Sequence, residues 1–117
     1  MPSPSPSVPE LSVDEARARA DAGAAVVLDV REVDEWDAGH VDGALWIPMA
    51  DVTARQDEIP ADVPLVVICR SGARSGKVAA ALIQAGYDAV NVAGGLQAWE
   101  AAGHPFIAVG SGPGVVT

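Results

Sequence analysis

The sequence of 117 residues is poor in the features that membrane, nucleic-acid-binding and disulfide-bonded proteins need. It contains one cysteine, so no internal disulfide can form, and a reducing compartment is the simplest setting. No apolar run approaches the roughly 20 residues that span a bilayer, and the amino end has no basic segment followed by an apolar one. We therefore expect a cytoplasmic protein with no secretory signal and no membrane partner.

Basic side chains are also scarce, and they are unevenly distributed. The chain has 7 Lys and Arg against 16 Asp and Glu, a net charge of −9 that argues against nucleic acid as a partner. Residues 1–62 carry fourteen acids and four bases, whereas residues 63–117 carry two acids and three bases. Those three bases are Arg70, Arg74 and Lys77. An acidic chain thus keeps one local basic segment where an anion would bind.

The single cysteine opens the most informative stretch of the chain. Leu65–Ile68 is an apolar run without polar alternation, which is typical of a strand buried on both faces of a parallel sheet. The loop Cys69–Ser75 follows, and the residues from 77 to 85 are rich in helix formers. Ligands of open parallel sheets bind just beyond the carboxyl ends of strands, so this loop is the candidate functional site.

The chemistry of this loop favours an anion and a reactive thiol. Backbone N–H groups at a helix start carry partial positive charge, and Gly72 lets several of them turn inward. With Arg70 and Arg74 nearby, the pKa of the Cys69 thiol is expected to fall from about 8.5 to between about 3.5 and 7.5. The alternative is a structural cysteine that ends a core strand, since free cysteine is among the most buried residue types.

The motifs, taken in order, resemble those of the rhodanese (sulfurtransferase) family. The loop C-R-S-G-A-R-S after V-V-I is similar to the active-site loop of that family. The other segments that carry the resemblance are Leu28–Glu32, Glu35-Trp36, Gly39–Ala44, Ile47-Pro48 and Gly94–Trp99. Each segment is weak by itself, but together they occur at the usual spacing from about Leu11 to Pro105.

Alternating strand and helix patterns predict an α/β parallel sheet with helices on both faces. The rhodanese resemblance implies the three-layer form of this fold, with a five-stranded parallel sheet whose first strand lies around Val8 to Leu11. Residues 10–106 would form the domain. Residues 1–9, rich in Ser and Pro, are predicted to be a disordered tail, and residues 107–117, rich in Gly, a flexible one. A monomer is expected.

The resemblance also implies a sulfurtransferase that works by covalent catalysis through Cys69. A small anionic donor such as thiosulfate would supply a sulfane sulfur, and cyanide or a thiol, including a protein thiol, would accept it. Asp29 and Arg31 would support the loop. The residues expected to bind the substrate are Arg70, Ser71, Gly72, Ala73, Arg74 and Ser75. No cofactor and no metal are expected, because one cysteine and two distant histidines cannot build a zinc site.

Three other functions remain open from the sequence. A persulfide carrier or docking module with a dedicated protein partner would use the same loop. A small phosphatase or arsenate reductase would need a similar cradle, but tyrosine phosphatases have five residues between Cys and Arg, and here four residues separate Cys69 from Arg74. A catalytically silent module used only for binding would have no need of Cys69 and its two arginines.

Overall fold

The computed structural model describes residues 8–108 and 112–116 of the chain. Five strands form one sheet in the spatial order β1-β5-β4-β2-β3, and every neighbouring pair is parallel. The strands are Glu10–Leu11 (β1), Val26–Asp29 (β2), Leu45–Trp46 (β3), Leu65–Ile68 (β4) and Ala89–Val92 (β5). The predicted five-stranded parallel α/β fold is therefore confirmed.

In the described ranges, three α-helices connect these strands, a fourth follows β5, and two short 3-10 helices lie between β3 and β4. The α-helices are Val13–Asp21 (α1), Val33–Ala38 (α2), Ala73–Gln84 (α3) and Gly95–Ala101 (α4), and the 3-10 helices are Met49–Asp51 and Gln56–Glu58. Ser12 caps the start of α1, and its hydroxyl accepts a hydrogen bond from the Glu15 amide at 3.1 Å. None of the helices in the described ranges has both the length and the apolar composition to cross a bilayer.

The central strand β4 explains why its sequence has no polar alternation. Leu65 and Val67 belong to an apolar cluster that contains the buried face of α3. Val66 and Ile68 belong to a second cluster, which contains the buried faces of α1 and α4. All four side chains are at most 1 % exposed. Helices cover both faces of the sheet, so each position along β4 is a core position.

The two ends of the chain are described only in part. Residues 1–7, 109–111 and 117 lie outside the described residues, so the disorder expected for residues 1–9 stays a prediction. In the other predicted tail, Ile107–Ala108 (β6) and Gly112–Pro113 (β7) pair as two short antiparallel strands. The backbone of Ile107 also exchanges two hydrogen bonds of 2.8 Å with that of His40, which ties β6 to the domain. The flexibility expected for residues 107–117 likewise stays a prediction.

Candidate active site

The fold places Cys69 at the carboxyl end of the central strand. It directly follows β4, and α3 begins four residues later at Ala73. Gly72 is the residue before α3 and has φ of +105°, a left-handed conformation that glycine adopts without strain. The Gly72 N–H donates to Cys69 Sγ at 3.1 Å. The backbone just before α3 thus directs a donor at the sulfur.

Hydrogen bonds to Cys69 Sγ lower the pKa of its thiol. Cys69 is 1 % exposed, and burial by itself raises the pKa of its thiol. The Ser75 hydroxyl, which lies 3.2 Å from Sγ, and the amides of Ser75, Gly72 and Ser71 lower the pKa more, so the net direction is downward. Cys69 is thus as buried as a structural cysteine would be, yet its surroundings favour the thiolate.

Arg70 lies on the exposed rim of the loop, beside the start of α4. Its carbonyl accepts a hydrogen bond from the Gln97 amide at 3.0 Å. With the Gln97 side-chain oxygen turned toward it, the Arg70 guanidinium donates two hydrogen bonds of 3.1 Å to that oxygen. Ser71 and Ala73 are exposed next to it. These residues line the entrance to the loop, and Gln97 is a contact that the sequence reasoning missed.

Arg74 is engaged by a carboxylate that the sequence reasoning did not place at the site. Its guanidinium donates to the two Glu35 oxygens at 2.7 and 2.8 Å, and both side chains are partly buried. The Arg74 guanidinium lowers the pKa of Glu35, and Glu35 raises the pKa of Arg74. Arg74 also interacts electrostatically with Cys69. Its positive charge is therefore shared between the thiol and Glu35.

Asp29 and Arg31 form an ion pair beside the loop, because β2 lies next to β4 with Asp29 opposite Ile68. Both side chains are fully buried. The Arg31 Nη2 lies 2.8 Å from an Asp29 oxygen and also donates to the Gly39 carbonyl at 2.7 Å. Arg31 Nη1 donates to the Glu35 carbonyl at 3.2 Å. The pair thus anchors α2, the helix that carries the carboxylate bound to Arg74.

A third missed residue, Asn91, lies on the neighbouring strand β5. The Ser75 hydroxyl lies 2.6 Å from Asn91 Oδ1, and Asn91 is 5 % exposed. The Asn91 amide nitrogen donates to the Gly72 carbonyl and to a Glu10 oxygen, each at 3.1 Å. One polar residue inside the apolar run Ala89–Val92 was the signal that could have identified it, because buried polar side chains need partners.

The start of α4 packs against the loop, and this explains the second glycine of the segment Gly94–Trp99. The Leu96 amide donates to the Cys69 carbonyl at 2.8 Å, so α4 lies directly against the loop. Gly95 has φ of +58°, and a Cβ atom there would lie 2.7 Å from the Arg70 carbonyl oxygen and also against the Cys69 carbonyl. Only glycine allows this close approach of two backbones.

Together these contacts give the site a limited range of chemistry. A thiolate at the base of a short amide-lined loop can attack an electrophilic atom and hold the anion that forms. The four residues between Cys69 and Arg74 leave a smaller loop than that of tyrosine phosphatases. Such a loop suits a single sulfur atom better than a tetrahedral phosphate.

Comparisons with known proteins agree with the fold and the motifs. The profile of the family described as the rhodanese-like domain matches residues 12–102. A sulfurtransferase of Allochromatium vinosum is 41% identical over 90 residues, which cover 76% of this chain and 84% of that protein. The Bacillus subtilis protein named "Putative sulfur carrier protein YrkF" is 33% identical over 95 residues, which cover 80% of this chain and 51% of that protein.

One solved structure extends the likeness to nearly the whole chain. The crystal structure of a thiosulfate sulfurtransferase from Pseudomonas aeruginosa superposes with a TM-score of 0.79 at 27% sequence identity. The match covers 94% of this chain but 22% of that one, and the chain spans about half of YrkF. The family match covers most of the chain and confirms the resemblance drawn from its motifs. The chain belongs to the rhodanese-like domain family, which includes sulfurtransferases and sulfur carriers.

Proposed function

We propose that this protein is a sulfurtransferase that carries a sulfane sulfur as a persulfide on Cys69. The observation that supports this most directly is the environment of Sγ. The sulfur is within 3.2 Å of both the Gly72 amide and the Ser75 hydroxyl, at the start of a helix. Both donors stabilise a thiolate before the reaction, and the amides of the loop can stabilise a negatively charged outer sulfur after it.

In the first half of the reaction, the Cys69 thiolate attacks the outer sulfur of thiosulfate. A bond forms between Sγ and that sulfur, the S–S bond of thiosulfate breaks, and sulfite leaves with the bonding electron pair. The new persulfide carries its negative charge on the outer sulfur. We propose that the loop from Arg70 through Ser75, meaning Arg70, Ser71, Gly72, Ala73, Arg74 and Ser75, binds the donor and then this sulfur through its amides and guanidiniums.

In the second half, a nucleophile takes the outer sulfur and Cys69 leaves. Cyanide would yield thiocyanate, and a thiol would yield a new persulfide on the acceptor. The chain has one cysteine, so no internal thiol can resolve the intermediate. In our proposal, the acceptor is a molecule other than these 117 residues. Asp29 and Arg31 take no part in these steps in our proposal, and they act by anchoring α2 beside the loop.

The test is the intact mass of the protein after incubation with thiosulfate. A gain of about 32 Da, the mass of one sulfur atom, is expected on Cys69, and cyanide should remove it. Cys69→Ser is the matched control, because it keeps a hydrogen-bonding atom at the same position and should show no gain. An equal gain in Cys69→Ser, or none in the folded and reduced wild type with thiosulfate, would contradict this proposal.

A second candidate is a sulfur carrier that delivers its persulfide to one protein partner. The similarity to YrkF favours it, since that protein is named as a sulfur carrier. The two functions differ in kinetics, because a carrier should load one sulfur per chain and then turn over thiosulfate and cyanide slowly. Comparing the loaded fraction with the steady-state rate separates them. A cytoplasmic monomer, the expectation from the sequence, is compatible with both.

A further inference from the structure

The Ser75 hydroxyl lies between two acceptors but has one proton. It is 3.2 Å from Cys69 Sγ and 2.6 Å from Asn91 Oδ1. A serine hydroxyl can donate one hydrogen bond and accept others. When Cys69 is a neutral thiol, its S–H can donate to Ser75, and Ser75 donates to Asn91. When Cys69 is a thiolate, both neighbours of Ser75 need the same proton.

The position of the Asn91 amide is held by other contacts. Its nitrogen donates to the Gly72 carbonyl and to Glu10 of β1, each at 3.1 Å, which directs the oxygen toward Ser75. Glu10 lies opposite Asn91 in the register of β1 and β5. Asn91 is 5 % exposed and Ser75 is fully buried, so water cannot easily replace the hydroxyl at Asn91 Oδ1. The amide oxygen is an acceptor that competes for the proton.

We propose that Ser75 and Asn91 form a two-position hydrogen-bond switch, in which Asn91 is a positioning residue that favours the persulfide of Cys69 over its free thiolate. This inference rests on the proposed function. In the thiolate, Ser75 donates to the charged sulfur, and the buried Asn91 oxygen loses its donor at a cost. In the persulfide, the negative charge lies on the outer sulfur. The Ser75 hydroxyl then donates its hydrogen bond to Asn91 Oδ1 again.

The switch involves no change in the number of protons or electrons. During loading, a bond forms between Cys69 Sγ and the transferred sulfur, the donor's S–S bond breaks, and the leaving group departs with the electron pair. Sγ changes from an anion to a neutral divalent sulfur. The Ser75 hydroxyl keeps its proton and changes only the acceptor of its hydrogen bond, from Cys69 Sγ to Asn91 Oδ1. Asn91 therefore raises the free energy of the thiolate, in which its oxygen lacks a donor. In the persulfide, that oxygen again accepts the hydrogen bond from Ser75.

The charged groups around this switch belong to four elements. Arg74 of α3 interacts electrostatically with both Cys69 and Asp29 of β2, and Glu35 of α2 is bound to Arg74. Glu10 of β1 lies beyond Asn91. None of these groups needs to change its protonation for Ser75 to change its acceptor. Glu10→Gln thus serves as a control for charge alone, because it removes the negative charge beside Asn91 while its side-chain oxygen can still accept the hydrogen bond from the Asn91 amide.

The experiment compares Asn91→Val, Ser75→Ala and the double variant with wild type. Valine suits a buried strand, and the Gly72 carbonyl keeps a hydrogen bond from the Gly76 amide at 3.1 Å. Thiol ionisation is followed through the ultraviolet absorbance of the thiolate during a pH titration. In Asn91→Val, the pKa of Cys69 should fall by roughly one unit, which is about tenfold in the ionisation constant. Ser75→Ala should raise it.

Persulfide loading should change in the opposite sense. With mixtures of thiosulfate and sulfite at a pH above the thiol pKa, the equilibrium constant for loading should fall about tenfold in Asn91→Val. Glu10→Gln should leave that constant nearly unchanged. If Asn91→Val does not fold, as judged by cooperative thermal unfolding, Asn91→Leu repeats both measurements with a side chain that, like asparagine, branches at Cγ.

The double variant decides whether Asn91 acts through Ser75. In the Ser75→Ala background, Asn91→Val should cause no further shift of the thiol pKa. A rise of the pKa in Asn91→Val, or an equal shift with and without Ser75, would overturn the proposal. Failure of the proposed function has a different signature, because wild type would then form no persulfide while the thiol titrations could still be read. The two proposals can therefore fail separately.

Discussion

Replacing Gly95 by alanine should damage both the stability and the activity of this protein. Gly95 begins α4 with φ of +58°, and an added Cβ would lie 2.7 Å from the carbonyl carbon and oxygen of Arg70. It would also meet the Cys69 carbonyl. These neighbours are backbone atoms, which cannot rotate away as a flexible side chain could. The active-site loop or the start of α4 must therefore move.

The size of the effect follows from three contributions. A left-handed conformation costs a non-glycine residue about 1–2 kcal/mol. Steric overlap in a packed region costs about 1–3 kcal/mol. Moving the helix weakens the hydrogen bonds from the amides of Leu96 and Gln97 to the Cys69 and Arg70 carbonyls, each worth about 1 kcal/mol. We expect Gly95→Ala to lower the free energy of unfolding by about 3–6 kcal/mol.

Gly103, just beyond the other end of α4, provides a matched control. Its φ is +75°, but a Cβ atom there would meet nothing within 4 Å. Gly103→Ala should therefore show only the backbone cost, about 1 kcal/mol or a loss of about 4 °C in Tm. Urea unfolding gives the two free energies, and the mass gain with thiosulfate gives the activity. Equal destabilisation by both variants would refute the steric reasoning at Gly95.

The remaining predictions concern charge. Arg74→Ala should raise the thiol pKa and weaken donor binding more than Arg55→Ala does. Arg55 is the control because it forms an exposed ion pair with Glu58, outside the loop. Equal KM values of the two variants for thiosulfate would be inconsistent with this. Arg31→Ala should cost about 3–5 kcal/mol in urea unfolding, because it leaves a buried carboxylate unpaired, and a loss under 1 kcal/mol would contradict this. The pKa of Glu35 is lowered from 4.5, so its contribution to stability is present above that pH and is lost as the pH falls below it. In Glu35→Gln, the free energy of unfolding should therefore fall less steeply as the pH is lowered below 4.5. The rate of Cys69 loading should rise with pH and reach half its maximum below pH 9.0, and a midpoint above 9.0 would contradict the lowered thiol pKa.

Much of the fold could be predicted because its signals are local. The apolar run Leu65–Ile68 needs no alternation when both faces are covered, and this pattern predicts a central parallel strand. The start of α3 could be predicted in the same local way, because Gly72 directly precedes a run of helix-forming residues. The roles of the predicted site residues stay predictions, but their placement around Cys69 follows from the position of the loop after β4.

The contacts that could not be predicted join residues far apart in sequence. Glu35 reaches Arg74 across 39 positions, and Asn91 reaches Ser75 across 16. Nothing local in the sequence specifies such a pair, because it depends on which strands become neighbours. The strand order β1-β5-β4-β2-β3 brings β5 and β2 to the two sides of β4. Only then do α2 and Asn91 lie beside the loop.

By itself, the sequence predicted the candidate nucleophile, the loop that surrounds it and the class of fold, because motif spacing and apolar runs act over a few residues. The tertiary structure decided how the thiol is tuned. It placed Glu35 on Arg74, which divides the charge expected to act on the thiol alone. It also placed a buried amide oxygen of Asn91 within 2.6 Å of the Ser75 hydroxyl. Both effects depend on distances across the sheet, which the order of residues does not contain.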